Sequence, residues 1–257
     1  MDYIDGLAAR GRYHFTVAEL QEASGLSAPA ARNALKRLAA RNRIASPARG
    51  FYVILPPEYR AVGCLPAEQF IPALMEREGR PYYVGLLSAA QYYGAAHHRP
   101  QTFQVFVEKN RRPIACGRVR VAFVARKRLR DVPILSFNSP RGALRVSTPE
   151  ATAIDLVGYP EHAGGLDQVA TVIAELADDL DATLLAEVAE TAPLPWAQRL
   201  GYLLELGGAV DKTQPLRHFV AARSRDYALL SPGTKGPTEQ RSPQWKLVIN
   251  VDIEPEL

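Results

Sequence analysis

Cysteine is nearly absent from this chain. Cys64 and Cys116 are the only two in 257 residues, far apart in sequence and outside any metal-ligand spacing. Neither a disulfide framework nor a structural zinc site is supported by that spacing, and a reducing cytoplasm suits the composition. Export and membrane signatures are missing as well. The N-terminus has no charged region followed by an apolar run, and no stretch approaches the roughly eighteen apolar residues of a membrane span. The expectation is a soluble, unprocessed, cytoplasmic protein with no membrane partner. No phosphate-cradling glycine loop, nucleophile elbow or His-Glu metal motif occurs, so the chain is expected not to be an enzyme and to need neither cofactor nor metal. Internal repeats and low-complexity tracts are lacking, and a charged fraction of 23% gives no sign of disorder.

Charge of one sign is missing locally. Residues 1–60 hold nine Lys or Arg against five Asp or Glu, whereas residues 61–257 hold 22 of each, so the whole net charge of +4 belongs to the N-terminal segment. From Ser24 to Gly50 there are six Lys or Arg and no acid. That asymmetry points to a nucleic-acid module followed by a neutral domain.

The N-terminal segment reads as a winged helix-turn-helix. Tyr3, Ile4, Leu7 and Ala8 recur at helical spacing, which predicts a first helix over residues 2–10. Thr16 with Glu19 forms a capping box, so a second helix starts at Val17. Ser24-Gly25-Leu26 ends it, because glycine tolerates the left-handed conformation there and Leu26 can drop into the core. Ser27 then caps a third helix, with Pro29 in its first turn, running to about Asn42. Its Ala31, Ala34, Leu35 and Leu38 face inward, while Arg32, Asn33, Lys36, Arg37 and Arg41 face out. That outer face suits DNA. Arginine can fork onto a guanine edge, asparagine onto an adenine edge, and lysine neutralises phosphate. Arg43-Ile44 and Phe51–Ile54 read as the two strands of a wing around the turn-rich tip 45–50. The candidate DNA-binding set is Ser27, Arg32, Asn33, Lys36, Arg37, Arg41, Arg43 and Arg49.

Pro56-Pro57 marks the first boundary. A connector helix is predicted over 67–78, and a second helix, rich in aromatics, over 81–94, followed by His97-His98 in a loop. The period then changes. Thr102–Val107, Arg118–Val124, Pro133–Phe137 and Leu144–Ser147 are read as strands of one sheet. Residues 109–130 carry nine Lys or Arg and no acid. Arg118, Arg120, Arg126, Lys127, Arg128 and Arg130 are the candidates for a second basic surface, read as an extra DNA contact, as a docking site for an acidic or nucleic-acid partner, or as the wet face of a sheet. Residues 161–190 hold eight Asp or Glu and no Lys or Arg, over predicted helices 166–176 and 182–189, and part of each surface can balance the other. Thr148-Pro149-Glu150 starts a capped helix, Asp181 caps another, and 196–206 is a third. Residues 227–230 and 245–251 read as late strands around the loop 231–237.

Taken in order, these blocks resemble the AbiEi-type antitoxins of bacterial type IV toxin-antitoxin systems over nearly the whole length. The resemblance is carried by the N-terminal helix pair and hairpin and by Tyr82-Tyr83-Val84-Gly85-Leu86-Leu87-Ser88-Ala89-Ala90 leading into Gln104-Val105-Phe106-Val107. It continues in Ser147-Thr148-Pro149-Glu150 with Asp155-Leu156, and in Arg199-Leu200-Gly201-Tyr202-Leu203-Leu204. It implies an α+β protein: a winged helix-turn-helix over 1–60, a connector helix over 61–80 and a mixed α/β antitoxin domain over 81–257. Such a protein would repress its own operon, in a phage-defence setting, by binding inverted repeats in the promoter, cooperatively and as a monomer or weak oligomer. It would counter a cognate nucleotidyltransferase-like toxin without a stable complex. The alternative from another class is a stand-alone winged-helix regulator whose C-terminal domain senses a ligand.

Overall fold

A computed structural model of the chain describes residues 3–95, 100–236 and 240–255; His97 and His98 lie outside them. The chain groups into two compact units, one of residues 1–83, 101–127 and 136–145, the other of residues 84–100, 128–135 and 146–257.

The first unit opens with helix α1 (Tyr3–Ala9), strand β1 (His14–Thr16), helices α2 (Val17–Ser24) and α3 (Ala28–Ala40), and a hairpin of β2 (Ile44–Ala48) and β3 (Phe51–Ile54). Strand β3 has the expected bounds, β2 reaches further than expected, and the turn is only Arg49-Gly50, with Gly50 at φ +71°. Strand β1, too short to announce itself by alternation, completes a three-stranded sheet of order β1-β3-β2. One core closes this part. Ile4, Leu7, Phe15, Leu20, Ala31, Leu35, Ile44 and Ile54 are buried together, and Leu26 and Leu38 pack against them. Leu35→Ala there should cost about 2–5 kcal/mol.

The predicted helix over 67–78 is broken into a 3-10 turn at Ala67–Gln69 and helix α4 (Ile71–Arg77). Pro72 is the reason, since its ring would clash with the carbonyl four residues back in a continuous helix. The predicted helix over 81–94 is also corrected. Tyr82–Val84 is strand β4, all three residues buried, and only Leu86–Ala90 is helix, α5, followed by a 3-10 turn to Tyr93. Aromatic and β-branched side chains fit a pleated, buried surface better than a helix.

Strands β5 (Phe103–Val107), β6 (Ile114–Cys116), β7 (Val119–Ala125), β8 (Ile134–Ser139) and β9 (Gly142–Ser147) join β4 in a sheet of order β6-β7-β5-β4-β9-β8. Most of it counts with the first unit. Phe103–Val107 runs parallel to Val121–Ala125, and β6 is antiparallel to β7.

In the second unit, helices α6 (Pro149–Gly158), α7 (Leu166–Leu176), α8 (Ala182–Ala189), α9 (Leu194–Leu206) and α10 (Gln214–Arg223) are followed by short strands β10 (Ala228–Leu229), β11 (Arg241–Ser242) and β12 (Leu247–Val248). The late strands are shorter than expected, and α10 was not expected. Helix α6 is the centre: residues 150–157 are all buried. The block around Gly201 acts in packing. A Cβ at Gly201 would lie 2.1 Å from the Trp245 ring, whose Nε1 donates to Glu205 at 2.8 Å, and Arg199 Nε donates to the Leu229 carbonyl at 3.0 Å.

Candidate nucleic-acid interface

Local hydrogen bonds set helix α3. The Thr16 hydroxyl accepts from Glu19 N–H at 3.2 Å, and the Glu19 carboxylate accepts from Thr16 N–H at 2.7 Å, closing the capping box that starts α2. Burial alone would raise the Glu19 pKa, but the hydrogen bonds from Arg12 and Thr16 outweigh it and hold the carboxyl below its ordinary range. Gly25 ends α2 at φ +65°, its N–H on the Gln21 carbonyl at 2.8 Å. Ser27 accepts from Ala30 N–H at 3.4 Å, so its hydroxyl serves the helix cap.

The two faces of α3 separate as the spacing predicts. Ala31 and Leu35 are buried, Ala34 and Leu38 half-buried, and Arg32, Asn33, Lys36, Arg37 and Arg41 exposed. Arg32 Nε reaches back to the Ala28 carbonyl at 3.3 Å. Among the described residues Asn33, Lys36, Arg37 and Arg41 make no side-chain hydrogen bond or ion pair. Asn33, Arg37 and Arg41 follow one another at i, i+4 and i+8, so they form a single stripe along the helix.

Arg43 differs from its neighbours. It is half-buried and ion-paired with Asp5, so holding a phosphate means exchanging that carboxylate. Exposed pairs are worth only about 0–1 kcal/mol, which makes the exchange inexpensive. Arg49 is exposed at the hairpin turn. Its carbonyl accepts from Arg77 Nη1 at 3.3 Å, and the Arg77 guanidinium stands 6.0 Å from the Phe51 ring centre. Arg77 therefore adds a cation to the turn, and its sequence distance from the hairpin hid it.

The second basic run is dispersed. Arg118 and Arg120 are exposed on β7 and its approach, with Arg120 Nη1 donating to the Gly117 and Val119 carbonyls at 2.8 and 3.0 Å. Arg126 is only 3% exposed, which corrects its reading as a surface cation. Lys127 is exposed. Arg128 and Arg130, also exposed, count with the second unit, where Arg128 pairs with Asp131 and donates to the Glu190 carbonyl at 2.8 Å. Arg111, in the same run, pairs with Glu78 and lies 4.6 Å over the Phe123 ring.

In the second unit the Thr148 and Asp181 caps form as expected, and Glu150 Oε1 accepts from Asp181 N–H at 3.0 Å. A cavity of about 260 Å³ there is lined by Asp131, Glu150, Leu184 and Glu187, among others. Among the described residues no cluster of His, Cys, Asp and Glu is placed to hold a metal ion, and no helix is long and apolar enough to cross a membrane.

Residues 83–206 match the family model described as the AbiEi antitoxin C-terminal domain. No curated protein matches the chain. Among solved structures, the crystal structure of the RV2827C protein from Mycobacterium tuberculosis is similar, with a TM-score of 0.67 at 17% identity over 95% of this chain and 88% of that one. At that identity the likeness concerns the fold.

Proposed function

Since residues 83–206 match the AbiEi antitoxin C-terminal domain, we propose that the chain is a type IV antitoxin that also represses its own operon through an N-terminal winged helix-turn-helix. Residues 1–60 read DNA, residues 61–80 connect, and residues 81–257 counter a nucleotidyltransferase-like toxin without a lasting complex. The observation that carries the DNA reading is the outer face of α3: four polar side chains, Asn33, Lys36, Arg37 and Arg41, exposed and unengaged on a helix whose other face is locked into a core. Helix α3 enters the major groove, where Asn33 and Arg37 meet base edges. Lys36, Arg41, Arg43 and the hairpin residue Arg49 hold phosphates, and Arg77 joins them. The antitoxic role is assigned to the basic residues Arg118, Arg120, Lys127, Arg128 and Arg130, because a nucleotidyltransferase works on anionic substrates. Arg126 is dropped from that set.

The test is a titration of the full chain against a duplex of its own promoter at two salt concentrations. Affinity should fall steeply with salt, with a slope of about −0.9 per phosphate neutralised. An affinity indifferent to salt sinks the reading.

A further inference from the structure

Both cysteines are free and buried, and the fold brings them from distant positions into hydrogen-bond contact. Their neighbours build that contact. Gly63 and Gly117 both have positive φ, +76° and +53°, and a Cβ on Gly117 would lie 2.2 Å from the Val62 carbonyl oxygen. Arg118 N–H donates to that same oxygen at 2.8 Å. The two backbones thus touch, and nothing larger than a hydrogen atom fits at residue 117.

A third group meets the Cys116 sulfur. The backbone N–H of Ser46, on strand β2, donates to it. Ser46 lies in the stretch between Ala45 and Ala48 where the pairing of β2 with β3 shifts. The two thiols differ in character. Cys64 is pushed up by its hydrogen bond to Cys116 and by burial, as befits the donor; Cys116 is brought down, chiefly by the hydrogen bond from Cys64 and against its own burial, with help from Ser46 N–H and Arg120. Cys116 is 8% exposed and Cys64 0%.

We propose that Cys64 and Cys116 are a redox modification site, closing into a reversible disulfide that loosens the β2–β3 hairpin. The oxidant class is a low-molecular-weight disulfide. The Cys116 thiolate, its proton gone to solvent, attacks one oxidant sulfur; the oxidant S–S bond breaks and half leaves as a thiolate. Cys64 then gives up its proton and attacks the Cys116 sulfur, expelling the other half. Two protein thiols are oxidised, and the oxidant is reduced to two thiols that carry off both protons. A disulfide sulfur accepts a hydrogen bond poorly, so Ser46 N–H loses its partner and β2 loses an anchor. Weaker DNA binding follows, a consequence that rests on the DNA reading above, whereas the chemistry does not.

The experiment treats the full chain with oxidised glutathione and then dithiothreitol. It follows the peptide linking Cys64 to Cys116 by mass spectrometry, the hydrogen exchange of the Ser46 amide, and affinity for the promoter duplex. The linked peptide should form and revert, the Ser46 amide should exchange faster while it persists, and affinity should fall roughly three- to tenfold. Cys64→Ser and Cys116→Ser, checked for folding by circular dichroism, should lose all three responses to oxidant. Only a glutathione adduct, or no linked peptide in the folded chain, overturns the site. A disulfide that leaves Ser46 protection unchanged overturns its link to the hairpin. If even the reduced protein fails to bind DNA, the DNA reading falls, and the linked peptide with Ser46 exchange still decides this proposal.

Discussion

Two basic runs look alike in the sequence and differ in the fold. Ser24–Gly50 has six Lys or Arg, and residues 109–130 have nine, each without an acid. In the first run, four polar side chains of one helix face stay exposed and unengaged. In the second, Arg111 is paired and stacked, Arg120 bonds its own turn, Arg126 is buried, and Arg128 is paired with Asp131. The difference lies in geometry. A helix lines up side chains three and four apart on a single surface, whereas strands and turns send successive side chains in opposite directions, where some meet partners of the fold. A count of charges therefore becomes a surface only where the backbone keeps them on one side.

Substitutions can break or sharpen this contrast. Arg111→Ala should lower folding stability by about 1.5–3 kcal/mol, because it removes a largely buried cation from Glu78. Urea unfolding measures it, and DNA affinity of the folded protein should not change; lost affinity at unchanged stability would merge the two runs. Arg37→Ala should leave stability alone and cost about 1–3 kcal/mol on the operator while relaxing sequence preference. An equal loss on random DNA would deny it a base contact.

Arg49→Ala should weaken operator and random duplex alike and reduce the salt slope by about 1, as read from titrations at several salt concentrations. Replacing Arg118 and Arg120 together by alanine should shift stability by no more than about 0.5 kcal/mol. Growth rescue in cells co-expressing the toxin should nevertheless drop, and full rescue would make this strand a solvated face. The smallest effect belongs to Glu19. Its folded pKa is lowered, so its contribution is present at neutral pH and is lost as pH falls below about 4.3 and through the lowered value. Glu19→Gln should flatten that acid limb in unfolding curves.

What the sequence determined by itself was local. The starts at Thr16, Ser27, Thr148 and Asp181, the end at Gly25, the helices at 166–176 and 182–189, and the inward and outward sides of α3 all depend on groups within about four residues of one another. The AbiEi resemblance was legible for a related reason, since its blocks are contiguous runs, although the packing of Gly201 against Trp245 was not. Tertiary structure decided the rest. It turned Tyr82–Val84 into a buried strand, set Arg77 beside the Arg49-Gly50 turn, buried Arg126, and brought Cys64 against Cys116. Each of these depends on a partner tens of residues away, and side-chain spacing holds no record of which distant backbone will arrive.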